Sequence, residues 1–195
     1  MPNFTKHGKR RMKQRCGAGG KTATTLARRA YAEGITHAEA RGELKKWMDK
    51  EYLIHGSNNC RFYANKLYIF IKRGELLITV LDAPLHIEQN LKRYVDTKVY
   101  LTYKRNRVKR KNNPELRKQY IADVEDIIRE DIISFLKNNN INFDFMYIDE
   151  SFKAVFYTTK KLRETTEMQN QIDEYINDKY GLKSRFERNK NGLVA

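Results

Sequence analysis

Cys60-Arg61-Phe62-Tyr63-Ala64-Asn65-Lys66-Leu67-Tyr68-Ile69-Phe70-Ile71-Lys72-Arg73-Gly74-Glu75-Leu76-Leu77-Ile78-Thr79-Val80-Leu81 is the stretch that decides the fold of the first half of this chain. Three runs of apolar, β-branched and aromatic residues, Cys60 to Tyr63, Leu67 to Ile71 and Leu76 to Leu81, are parted by Ala64-Asn65-Lys66 and by Lys72-Arg73-Gly74-Glu75. Strand formers interrupted by turn residues at so short a spacing predict an antiparallel meander. Pro84 closes it, because proline brings no donor to a ladder.

Upstream of the meander the apolar period changes from two to 3.6. Lys6 to Arg15 predicts a helix capped by Thr5 and ended by Gly17, Gly19 and Gly20. Thr22 to Glu33 predicts a second, with Leu26, Ala27, Ala30 and Tyr31 on one stripe and Gly34 ending it. Ile35-Thr36-His37-Ala38-Glu39 has capping-box form, and Leu44, Trp47 and Met48 supply the apolar face of the helix it would open.

Downstream, Val99, Leu101 and Tyr103 alternate as an extra strand would, and Lys104-Arg105-Asn106-Arg107-Val108-Lys109-Arg110-Lys111 is too charged for a core. Asn113-Pro114 then opens a helix whose face runs through Leu116, Tyr120, Val124, Ile127, Ile128, Asp131, Ile132 and Phe135 to Asn138. Asp131 alone breaks that stripe. Two strands, Asn142 to Ile148 and Phe152 to Thr158, a helix from Leu162 to Tyr180 and a strand from Leu182 to Phe186 complete the chain. The expected class is therefore α+β. N-terminal helices pack on an antiparallel meander over residues 1–103, a basic linker covers 104–112, and a small α-β-β-α-β domain covers 113–195.

The formal charge is +15, and its distribution says more than its sum. Residues 1–112 hold 26 Lys and Arg against 9 Asp and Glu, whereas residues 113–195 hold 13 against 15. A block so basic attracts a polyanion, with a salt dependence set by counterion release. An anionic membrane fits less well, since the cations alternate with Tyr and Ile at strand spacing and do not line one face of an amphipathic helix. The opening residues lack the apolar run of a signal peptide, no window suits a bilayer span, and Cys16 and Cys60 form no CxxC. These features predict a cytoplasmic protein with free thiols. No His, Cys and Asp cluster has metal-ligand spacing, so no cofactor is expected.

Lys6-His7-Gly8-Lys9-Arg10-Arg11-Met12-Lys13-Gln14-Arg15-Cys16-Gly17 holds the most specific local signal. His7, Arg11 and Arg15 are four apart, so a helix brings an imidazole and two guanidiniums to one face. Metal-independent ribonucleases need that combination: a group titrating near neutrality to move a proton at the 2′-hydroxyl or the 5′-oxygen, and fixed cations to hold the phosphorane. The same spacing equally fits a solvated basic helix whose histidine has no role. Lys6, Lys9, Arg10, Lys13, Lys45, Arg61, Lys104, Arg105, Arg107, Lys109, Arg110 and Lys111 are candidate RNA contacts, and His55 is a candidate partner for His7 in acid–base work or a loop histidine without one. Tyr63, Tyr68, Tyr100 and Tyr103 are either base-stacking platforms or packing residues. Gly17-Ala18-Gly19-Gly20-Lys21-Thr22 is not a phosphate loop, because Arg15 stands at its first glycine and a helix leads into it, although bare amides there can hold a phosphate.

The pattern His7-x-x-x-Arg11-Met12-x-x-Arg15-x-Gly17, followed by helices and by a meander ending in Leu77-Ile78-Thr79-Val80, resembles the RelE-like, barnase–EndoU–RelE type of ribonuclease fold of toxins and mobile-element proteins. The resemblance covers about residues 5 to 84. It implies an opening helix packed on the sheet, with His7, Arg11 and Arg15 matching the helix motif and Thr79 the strand-end threonine. Gly8 departs from the usual alanine, and the insert from Trp47 to Asn59 is long. The function implied by the resemblance is a metal-independent endoribonuclease that cuts single-stranded or structured RNA, guide RNA among its targets. The alternative is a non-catalytic inhibitor of anti-CRISPR type that binds guide RNA or an RNA-guided nuclease complex. Residues 113–195 would then serve a protein partner or self-association. A DNA-binding regulator is the weakest class, for want of a recognition helix.

Overall fold

A computed structural model describes residues 3–189. The chain is α+β and divides between Tyr103 and Lys104 into two compact units. The first contains α1 (Lys6–Cys16), α2 (Gly20–Glu33), β1 (Ile35–Thr36), α3 (Gly42–His55), β2 (Cys60–Tyr63), β3 (Lys66–Phe70), β4 (Leu77–Asp82) and α4 (Leu85–Gln89). Its sheet has the order β1-β2-β3-β4, antiparallel throughout. Ala64 and Asn65 both take left-handed backbone, φ 52° and 61°, and so turn β2 directly into β3. The core joins Met12 of α1, Ala23, Ala27 and Ala30 of α2, and Leu44 and Met48 of α3 to Phe62, Leu67, Tyr68, Ile69, Phe70 and Leu77 of the meander. Each of the larger side chains contributes about 1.5–3 kcal/mol by leaving water.

β4 is an edge strand, and α1 covers it. Thr5 N–H donates to Leu77 O at 3.1 Å, Leu77 N–H donates to Asn3 O at 2.9 Å, and Phe4 bridges Leu77 in parallel. The Thr5 hydroxyl accepts from Gly8 N–H at 2.9 Å, the cap read from the sequence. These bonds satisfy groups that an uncovered edge would offer to another chain. The helix lies so close that a Cβ on residue 8 would stand 2.4 Å from Leu77 O and 3.1 Å from Ile78 O. Glycine at position 8 is therefore a steric requirement of this packing.

Three expectations are corrected. The capping box at Thr36 forms, with Thr36 N–H on Glu39 Oε2 at 2.8 Å and Glu39 N–H on Thr36 Oγ1 at 3.2 Å, but it closes only a turn. Ala40 bridges Val95 and Arg41 N–H donates to Tyr94 O at 2.7 Å, which holds the chain extended until α3 begins at Gly42. Val99, Leu101 and Tyr103 lie in a helix, α5 (Thr97–Lys111), opened by Asp96, whose carboxylate accepts from Lys98 N–H at 3.0 Å. Residues 104–111 continue that helix, so 104–112 is no linker. Arg105 donates to Gly181 O at 2.9 Å, and Lys109 lies 5.3 Å above the Phe152 ring.

The second unit holds α6 (Pro114–Asn138), β5 (Asp144–Ile148), β6 (Lys153–Thr158), α7 (Thr166–Tyr180) and β7 (Lys183–Arg188). Asn113 Oδ1 caps α6 through Glu115 and Leu116 N–H. β5 and β6 form an antiparallel hairpin, and α7 carries the chain across to β7, parallel to β6. Phe145, Phe156 and Phe186 pack in a row across the sheet. Asp131, the break in the α6 stripe, is a junction: it accepts from Tyr175 at 2.5 Å, from Tyr180, and from Lys179 at 2.6 Å. Partial desolvation opposes its ionisation, yet these three donors together hold the carboxyl below its ordinary range.

Among the described residues, no helix is long and apolar enough to cross a membrane. Cys16 and Cys60 are free thiols.

Candidate nucleic-acid interface

Gly8 and Met12 turn into the sheet, so the remaining positions of α1 form its outer arc: Lys6, His7, Lys9, Arg10, Lys13 and Gln14 are exposed, and Arg11 half-buried. None of Lys6, Lys9, Arg10, Arg11 or Lys13 has a carboxylate within ion-pair distance among the described residues. Lys6, Lys9, Arg10, Lys13 and Gln14 line a shallow surface depression of about 430 Å3.

His7 stands between two guanidiniums. Arg11 Nε donates to its Nε2 at 3.3 Å, and an Arg10 guanidinium nitrogen lies 3.4 Å from its Nδ1. A neutral imidazole accepts at one nitrogen only, so one arginine at a time is bonded, and an imidazolium accepts from neither. Loss of solvation, followed by the charges of Arg11, Arg10, His55 and Arg15, holds His7 below the ordinary value of 6.5. In the neutral form the His7 lone pair is covered by a guanidinium, that of Arg11 when Nε2 carries it and that of Arg10 when Nδ1 does. A carbon-detected or proton NMR titration is expected to place its midpoint below 6.5 and to move it upward in Arg11→Ala; an unmoved midpoint would contradict the assigned cause.

His55, at the end of α3, is near enough for its charge to act on His7. Its Nε2 lies 3.5 Å from Glu51 Oε2 one turn earlier in α3. Glu51 was not legible as a participant, although its place four residues before His55 was a signal. Gln14 was missed too; it accepts from Arg11 Nη1 at 3.2 Å and steadies that guanidinium.

Other predicted residues serve the fold. Arg15 turns to the sheet, where Nη1 donates to Val80 O at 2.9 Å and Nε stands 3.8 Å from Asp82. Thr79 is 1 % exposed, in the interior of the unit, and does not join His7 and Arg11. Arg61 donates to Tyr31 O at 3.2 Å and covers the Tyr31 ring at 4.9 Å. Lys45 donates to His37 O at 3.3 Å. Tyr63, Tyr68 and Tyr103 are buried, Tyr103 accepting from Ala64 N–H at 3.1 Å, which removes them as stacking platforms; Tyr100 is half-buried against the core. In α5, Arg105 is bonded to Gly181 and Lys109 covers Phe152, Lys104, Arg107 and Arg110 are engaged as well, and Lys111 is exposed. Among the described residues no group of three or more His, Cys, Asp or Glu side chains is placed to hold a metal ion.

Comparison with family models, with curated proteins and with solved structures gives no match to this chain. The residues themselves must therefore carry any assignment.

Proposed function

We propose that the first unit binds RNA through the outer arc of α1 and cleaves it without a metal ion, by attack of a ribose 2′-hydroxyl on the neighbouring phosphate. The observation that carries this reading is a histidine held between two guanidiniums on a cationic helix face without carboxylates. A phosphate arriving on α1 competes for Arg11, since guanidinium bonds to phosphate are bidentate and charge-assisted. When Arg11 turns to the phosphate, the His7 lone pair is released. His7 then takes the 2′-hydroxyl proton, the 2′-oxygen bonds to phosphorus, and the bond to the 5′-oxygen breaks. His55, oriented by Glu51, returns a proton to that leaving oxygen. The products are a 2′,3′-cyclic phosphate and a 5′-hydroxyl. The helix laid on a meander supports a RelE-like scaffold for this chemistry, acting on RNA in the cytoplasm. Residues 113–195, with 13 Lys and Arg against 15 Asp and Glu, are near-neutral, and the sheet of the second unit has β5 and β7 as its edge strands, which supports a role in protein contact or self-association.

The test is to incubate the protein with labelled structured and single-stranded RNA in EDTA. Fragments ending in cyclic phosphate are the expected result. Intact RNA with a salt-sensitive mobility shift would overturn cleavage in favour of capture. Capture is the second reading, with the chain acting as an anti-CRISPR-type inhibitor on guide RNA or on the nuclease that carries it. The burial of Thr79 and the engagement of Arg15 by Val80 favour it, because they take two of the four groups assigned by the ribonuclease resemblance away from the phosphate.

A further inference from the structure

Residues two apart on an α-helix point about 200° apart, so Lys9 leaves α1 on the flank opposite His7. There it meets a second groove, of about 740 Å3, between the N-terminal segment, α1 and α2. Phe4 and Ala23 give this groove an apolar floor, and Lys9, Lys21 and Arg28 are its charges; no Asp or Glu lines it. Lys21 and Arg28 are seven apart on α2 and therefore share a face, with Thr24 and Thr25 between them. Both cations are exposed, and no carboxylate pairs with either among the described residues. Lys9 also lines the depression on the crest of α1, so one side chain belongs to both hollows.

We infer that the α1–α2 groove is a second phosphate subsite, in which Lys9, Lys21 and Arg28 hold the backbone of an RNA strand a few nucleotides away from His7. The inference rests on the proposed RNA binding and adds the path of the strand: from the His7 flank, over Lys6, Arg10 and Lys13, and down into the groove beside α2. Unpaired cations without carboxylates suit phosphates, which bring their own charge and release counterions on binding. The path across α1 is about one helix diameter, roughly 10–12 Å, so a mononucleotide at His7 would not reach Lys21.

The test is the binding of a short fluorescent single-stranded RNA to the parent and to Lys21→Ala/Arg28→Ala, followed over a range of salt. Two lost phosphate contacts are expected to lower the slope of log affinity against log salt by about 1.4, which is about 25-fold weaker binding at about 0.1 M salt relative to 1 M. Lys160→Ala/Lys161→Ala, with the same change of net charge on exposed residues of the second unit, is expected to stay within about twofold of the parent. The charge-preserving exchange Lys21→Arg/Arg28→Lys is expected to keep the parent slope, which separates a lost contact from a damaged helix. Parental affinity and slope in the alanine pair, with the parent binding RNA, would overturn the groove and leave the RNA reading standing. An equal loss in the Lys160/Lys161 pair would overturn it as well, by reducing the effect to net charge. A parent that binds no RNA would end both.

Discussion

His7→Ala is expected to slow RNA cleavage by about 10²- to 10⁴-fold while changing RNA affinity by less than about twofold, because a general base contributes to the transition state and little to ground-state binding. Arg11→Ala is expected to lose about 10²- to 10³-fold in rate, as a group holding charge on the phosphorane, and to weaken binding as well. The pH profiles separate the two. With His7 held below 6.5, the acid limb of the parent pH–rate profile rises with pH through the His7 midpoint. Removing the Arg11 charge moves that rise to higher pH. Single-turnover rates of cyclic-phosphate formation measure both effects, and a His7→Ala rate equal to the parent's would remove His7 from the chemistry.

Gly8→Ala is expected to destabilise the first unit by roughly 1–3 kcal/mol, the usual penalty for forcing extra volume into a packed contact. Two effects oppose each other here. Alanine is the better helix former by about 1 kcal/mol, and in an exposed helix it would stabilise. At position 8 the new methyl would stand 2.4 Å from the Leu77 carbonyl oxygen, a backbone atom of β4 that cannot rotate aside. α1 must lift, straining the Thr5 bonds to Leu77 and the Arg15 bond to Val80. For a unit of about this size the loss corresponds to a fall of roughly 5–20 °C in the midpoint of thermal unfolding, followed by circular dichroism. A higher midpoint would mean that helix propensity outweighs the contact and that α1 does not seat on β4 as described.

The meander was legible because its turns are unambiguous: Ala64-Asn65 and Lys72-Arg73-Gly74-Glu75 part runs of strand formers too short to be helices. Gly17 and Gly181, each in left-handed backbone, and Asn113 before Pro114 marked helix ends for equally local reasons. What was not legible depends on a cap just upstream in one case and on partners distant in sequence in the others. Val99, Leu101 and Tyr103 read as a strand by alternation and composition, while the deciding residue was Asp96, a helix opener just upstream. The Thr36 box did form, and pairing of Ala40 and Arg41 with Val95 and Tyr94 stopped it from starting a helix. The candidate site divided in the same way. Spacing on one helix placed His7 beside Arg11 correctly. The side on which Arg15 would find a carbonyl, and the cover over Thr79, were set by β4, where Thr79 and Val80 are both buried and alternation does not tell an open face from a covered one.

Titration of single-stranded RNA into 15N-labelled protein, followed by amide resonances, asks directly whether the outer arc of α1 is where the polyanion sits. The largest and earliest shifts are expected on Lys6 to Gln14, diminishing with added salt. Shifts confined to residues 113–189, or an unchanged spectrum at low salt, would contradict the account.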